Sequence, residues 1–150
     1  MPSPLEHLTG TGKPLHAEAA DAAEIAGLIR SGLARPADAR NETLAPESRL
    51  DLAYNAARAL CLAALRKHGY RARHRYIVFQ VLPHTLGLGP EVWRVLAKAH
   101  DPRNLTEYEG PVDVQPRLPR DVLAACATVA ATLHAASNRR DNPDLPPGRS

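Results

Sequence analysis

Residues 46 to 69, PESRLDLAYNAARALCLAALRKHG, constrain the rest of the chain most. Between Pro46 and Gly69 there is neither a glycine nor a proline, and apolar residues recur on more than one side of a 3.6-residue helical repeat. Pro46 suits the first helical position, and Glu47 suits the positive end of the helix dipole. A helix this apolar around its circumference has to be covered by neighbours, so it is expected to be the central and most buried element.

The apolar residues are mostly Ala and Leu, and aromatics are only 4% of the chain. That composition favours close-packed helices over half-buried strands. At 150 residues and 44% hydrophobic content the chain has the length for one domain with a core. The expected fold is all-α, an up-and-down bundle of about five helices. The first spans about Ala17 to Leu33, with Ala22, Ile25, Ala26, Ile29 and Leu33 at helical intervals, and Gly32 and Pro36 mark its end. The second is the central helix. The third covers about Arg75 to Leu86 and is kinked or ended by Pro83. The fourth begins near Pro90 and stacks Val92, Val95, Leu96 and Ala99; the fifth begins near Pro119 and stacks Val122, Cys126, Val129 and Leu133.

The ends read differently. Residues 1–15 carry Pro, Gly, Thr and Ser without periodicity, and residues 137–150 have few apolar groups, so a bundle at 16–136 is expected between a flexible N-terminal segment and a disordered C-terminal tail. No period of 20 to 50 residues repeats. Neither a basic-then-apolar leader nor a run approaching the roughly 18 apolar residues of a membrane span occurs, so a cytoplasmic protein without a membrane partner is expected. Cys61 and Cys126 fall in apolar helical patterns, where a thiol acts as a small hydrophobe, and are expected to be reduced and buried. No metal spacing occurs around them, and no cofactor is implied.

A net charge of +3 and a pI near 9.1 permit an anionic partner. The positive charge concentrates in KHGYRARHRY, residues 67–76, where Lys67, Arg71, Arg73 and Arg75 alternate with His68, His74, Tyr70 and Tyr76. Cations interleaved with aromatics suit phosphate contact with base stacking. A basic, solvated connection after a helix C-terminus is the other reading, since it also satisfies the dipole. The histidines have no Cys or carboxylate at ligand spacing.

AHDPRNLTEYEG, residues 99–110, interrupts the fourth helix with Asp101-Pro102 and then gathers Arg103, Asn104, Glu107, Tyr108 and Glu109. Proline disfavours α geometry in the residue before it, so the helix is expected to break or bend between His100 and Arg103. Either the helix simply ends there, with Arg103 and Glu107 as a solvated pair, or the polarity serves a site.

The run from Arg49 through Gly87, together with RNLTEY, resembles the HEPN superfamily of small helical bundles over roughly residues 17–135. The segments LAYNAARAL and RNLTEY carry most of the likeness. The resemblance implies a homodimer with a shared cleft and RNA or nucleotide as ligand. It also implies a toxin–antitoxin or defence context, with a separately encoded antitoxin or nucleotidyltransferase as a second partner. In that family an Arg followed by a polar residue and, a few positions on, a His forms a metal-independent ribonuclease site. Arg103 matches the Arg and Asn104 the polar residue, but Tyr108 stands where the His belongs. A phenol with pKa near 10 donates protons but is a poor base beside an imidazole near 6.5. His100, one turn before Arg103, is a candidate to supply the missing imidazole. Arg94 with His100 also meets the spacing, but at helical pitch the two fall on different faces. Three expectations follow: a phosphate-binding protein with reduced or no cleavage, an active endoribonuclease, or a structural dimer. The dimer expectation draws further on Val92, Trp93 and Leu96, which give the fourth helix more apolar surface than one core needs.

Overall fold

In the computed structural model the described residues are 4–99 and 117–141, with 137–141 described as backbone only. The fold is mostly helical, as expected, and is built around α3 (Pro46–Lys67). Ala53, Ala56, Ala57 and Ala63 of α3 are fully buried, and their small side chains let α2 (Ala22–Ala39) and α7 (Arg117–Asp141) pack closely against it. Leu50, Leu60 and Leu65 fill the space the alanines leave, and Tyr54 meets Phe79 edge-on with ring centroids 5.7 Å apart. Val122, Cys126, Val129 and Leu133 of α7 all face this core, as their spacing predicts.

Helix α2 differs from its expected form at both ends and in its orientation. Asp21 caps it, accepting from the Ala23 and Glu24 amides at 2.9 and 3.2 Å, so it starts several residues after Ala17. It runs through Pro36 instead of stopping before it. Pro36 lies one turn from the C-terminus, where few bonds remain to be lost, and the Arg40 amide closes the last turn on the Pro36 carbonyl at 3.1 Å. The inward face carries Ile25 and Gly32, while Leu33 is turned out and 59% exposed. Gly32 decides this rotation: a Cβ built there lies 2.5 Å from Leu60 Cγ and 3.0 Å from the Ala56 carbonyl oxygen, so the two helices touch through backbone that a side chain would separate.

The expected single helix over residues 75–86 is two separate turns, α4 (Ile77–Gln80) and α5 (Leu82–Thr85), hinged at Val81. Pro83 sits in the first turn of α5, where its missing N–H is no loss, so it helps start a helix. Helix α6 (Pro90–Ala99) follows, with Val92, Leu96 and Ala99 buried in the chain's own core and Trp93 partly buried against it. The apolar surface that the sequence offered to a partner on this helix is therefore largely used within the chain itself. The bend expected at Asp101-Pro102 lies outside the described residues.

Part of the N-terminal segment, where no regular element was expected, takes up helix and strand. Helix α1 (Pro4–His7) buries Leu5, and β1 (Leu15–Ala17) pairs antiparallel with β2 (Tyr70–Ala72), matching Leu15 to Ala72 and Ala17 to Tyr70, with Leu15 fully buried. At the other end, α7 extends as helical backbone to Asp141. No helix among the described residues is long and apolar enough to cross a membrane.

Candidate functional site

The basic stretch begins where α3 ends. Gly69, at φ +86°, takes the left-handed conformation that turns the chain back into β2, and the Glu18 amide donates to the Gly69 carbonyl at 3.0 Å. β2 and the loop after it are thereby held beside the last turns of α3, and the Arg73 amide is fixed to the Pro14 carbonyl at 2.8 Å.

Two arginines here are committed to the fold. Arg66, 1% exposed, donates through Nε to Glu24 (2.6 Å) and through its two Nη atoms to the carbonyls of Glu18 (2.9 Å), Ala19 (2.7 Å) and Tyr70 (3.3 Å). Arg71 donates to Glu18 Oε2 at 2.6 Å and to both Glu24 oxygens at 2.9 and 2.7 Å. The two guanidiniums and two carboxylates balance. The Arg71 charge, expected to meet phosphate, is here paired with Glu18 and Glu24 and ties β2 to the segment before α2. Arg66 was not singled out by the sequence, because nothing local distinguishes it from any Arg in a last helical turn.

Hydrogen bonds from Arg71 first, and then from Arg66, hold the Glu24 carboxyl below its ordinary value of 4.5. A carboxylate with a lowered folded-state pKa contributes stability above the unfolded value and loses it as pH falls through the folded one. The melting temperature is therefore expected to decline below about pH 4.5, and Glu24→Gln is expected to flatten that decline while lowering the plateau at pH 7; melting curves from pH 7 to 3 measure both.

Arg73 and Arg75 are placed otherwise. With Arg71 and His74 they line a pocket of about 210 Å³ over an apolar floor of Leu62, Ala72 and Val78, and Arg58 of α3 completes it. No carboxylate among the described residues lines this pocket, and Arg58, Arg73 and Arg75 have no acidic partner among them. The Arg58 Nε is buried without a hydrogen-bond acceptor. Burial first, and then the neighbouring Arg75 charge, push the Arg58 guanidinium down from its ordinary value, although a guanidinium stays charged at neutral pH. Its signal in the sequence was a lone cation among apolar positions in LAYNAARAL.

Neither a family model, nor a curated protein, nor a solved structure matches the chain. The chemistry of this pocket has to speak for itself.

The other expected site residues fall elsewhere. Lys67 and His68 line a separate cavity of about 30 Å³ beside Thr85 and Leu133, where His68 Nε2 lies 3.0 Å from the Thr85 carbonyl. Tyr70 and Tyr76 are partly buried against the core and are not among the pocket's lining residues. Arg103, Asn104, Tyr108 and His100 all lie outside the described residues. Arg94, the other partner suggested for His100, lies over the Trp93 ring at 5.6 Å. Cys61 and Cys126 are buried and unpaired as expected; burial pushes the Cys61 thiol up, and the Cys126 thiol up to about 11, so neither is poised as a nucleophile.

Proposed function

We propose that the protein binds the phosphates of single-stranded RNA at the pocket formed by Arg58, Arg73 and Arg75. The observation that carries this reading is the convergence of three guanidiniums on one concavity without a facing carboxylate among the described residues. Like charges brought together in this way cost stability unless an anion joins them. Guanidinium forks match phosphate oxygens two at a time. The likeness to HEPN bundles supports RNA as the source of the phosphates. The role is binding, and the pocket needs no cleavage chemistry to perform it.

Fluorescence anisotropy with a short 5′-hydroxyl RNA tests the reading. Each phosphate neutralised on a single strand contributes about −0.7 to the slope of log affinity against log salt, so a strand that meets Arg73 and Arg75 predicts a slope of about −1.4. The R58Q/R73Q/R75Q variant is expected to lose that slope and to bind at least about tenfold more weakly at low salt. Salt-independent binding, or a triple variant that binds like the native protein, would overturn the reading.

A further inference from the structure

Resting on that reading, we infer that the pocket selects a terminal chain of phosphates, such as the 5′-triphosphate of an RNA end or of a free nucleotide, over an internal phosphodiester. Charge is the first ground. Arg71 is balanced by Glu18 and Glu24, whereas Arg58, Arg73 and Arg75 bring three positive charges with no described counter-charge. An internal phosphodiester offers one negative charge. A terminal triphosphate carries roughly −3.5 to −4, since its last phosphate has a second pKa near 6.

Depth is the second ground. Arg73 and Arg75 are exposed on the loop after β2, while Arg58, on α3, is partly buried. A continuous backbone passing across the opening meets the two loop arginines. Only a group that enters the pocket meets all three.

Size and lining are the third. At about 210 Å³ the pocket is smaller than the roughly 300 Å³ at which sites that bury whole drug-sized ligands begin. No Phe, Tyr or Trp among the described residues lines it, and His74 is the one ring at its edge. A phosphate chain enters, and the nucleoside stays outside, so base identity should matter little.

The test compares four probes on the native protein and on R58Q: one RNA with a 5′-hydroxyl, the same RNA with a 5′-triphosphate, ATP, and inorganic tripolyphosphate. The 5′-triphosphate RNA is expected to bind at least about tenfold tighter than the 5′-hydroxyl form, with ATP and tripolyphosphate competing for the same site. In R58Q the ratio between the two RNAs is expected to fall toward one. R58K, which keeps the charge but loses the fork, serves if R58Q melts early, and is expected to fall between the two. Equal affinity for the two RNAs in the native protein overturns the inference and leaves the RNA reading standing. Binding of ATP and tripolyphosphate without binding of either RNA upholds the phosphate-chain site and removes RNA as its source. Absence of binding by all four probes overturns both.

Discussion

Replacing Arg66 by Ala is expected to destabilise the protein by roughly 3–5 kcal/mol, the range for breaking a buried ion pair from one side. The side chain is 1% exposed and serves four acceptors, Glu24 and the carbonyls of Glu18, Ala19 and Tyr70. Without it those carbonyls lose a charged donor, and Glu24 is left with Arg71 alone. For a domain of this length the melting temperature should fall by roughly 10 °C. Arg66→Lys is expected to recover only part of the loss, because one ammonium cannot reach acceptors spread around a guanidinium fork. The double change Arg66→Met with Glu24→Gln should cost less than the sum of its parts, since it removes both charges together. A melting temperature for Arg66→Ala within a degree of the native value would show that these contacts are not formed in solution.

Leu60 and Gly32 should behave as one unit. Leu60→Ala empties a fully buried site and is expected to cost roughly 2–5 kcal/mol. Gly32→Ala pushes a methyl against Leu60 and the Ala56 carbonyl, and overpacking of this kind costs about 1–3 kcal/mol. The methyl that clashes in the native background falls into space vacated by the leucine, so Gly32→Ala should cost much less in a Leu60→Ala background. A coupling of at least roughly 1 kcal/mol from denaturant melts is expected, and strict additivity would mean that α2 and α3 do not meet at this pair.

Helices α3 and α7 were legible because a continuous apolar pattern over several turns has no competing interpretation. The orientation of α2 was not. Hydropathy assigns Leu33 to the core, while the close approach at Gly32 turns that face away, and this depends on what α3 presents at Ala56 and Leu60. Pro36 misled for a related reason, since a proline one turn from a helix end removes little that the end would keep. The β1–β2 ribbon has three residues per strand and joins distant parts of the chain, too short for an alternation to be read. The basic stretch was legible as a stretch but not as a site. Sequence groups Lys67, Arg71, Arg73 and Arg75, whereas tertiary structure sends Lys67 elsewhere, pairs Arg71 with glutamates and adds Arg58 from the preceding helix.

The ribbon also orders events during synthesis. β1 ends at Ala17 and its partner ends at Ala72, about 55 residues later. At roughly 5–20 residues per second the ribosome takes on the order of 3–10 s to cover that distance. Throughout this interval Leu15 has no strand to pair with, and the carbonyls of Glu18 and Ala19 wait for an Arg66 not yet made. The strand around Leu15 is thus completed by residues translated much later, and any nascent chain stalled before Ala72 carries an unpaired edge that another chain could pair with.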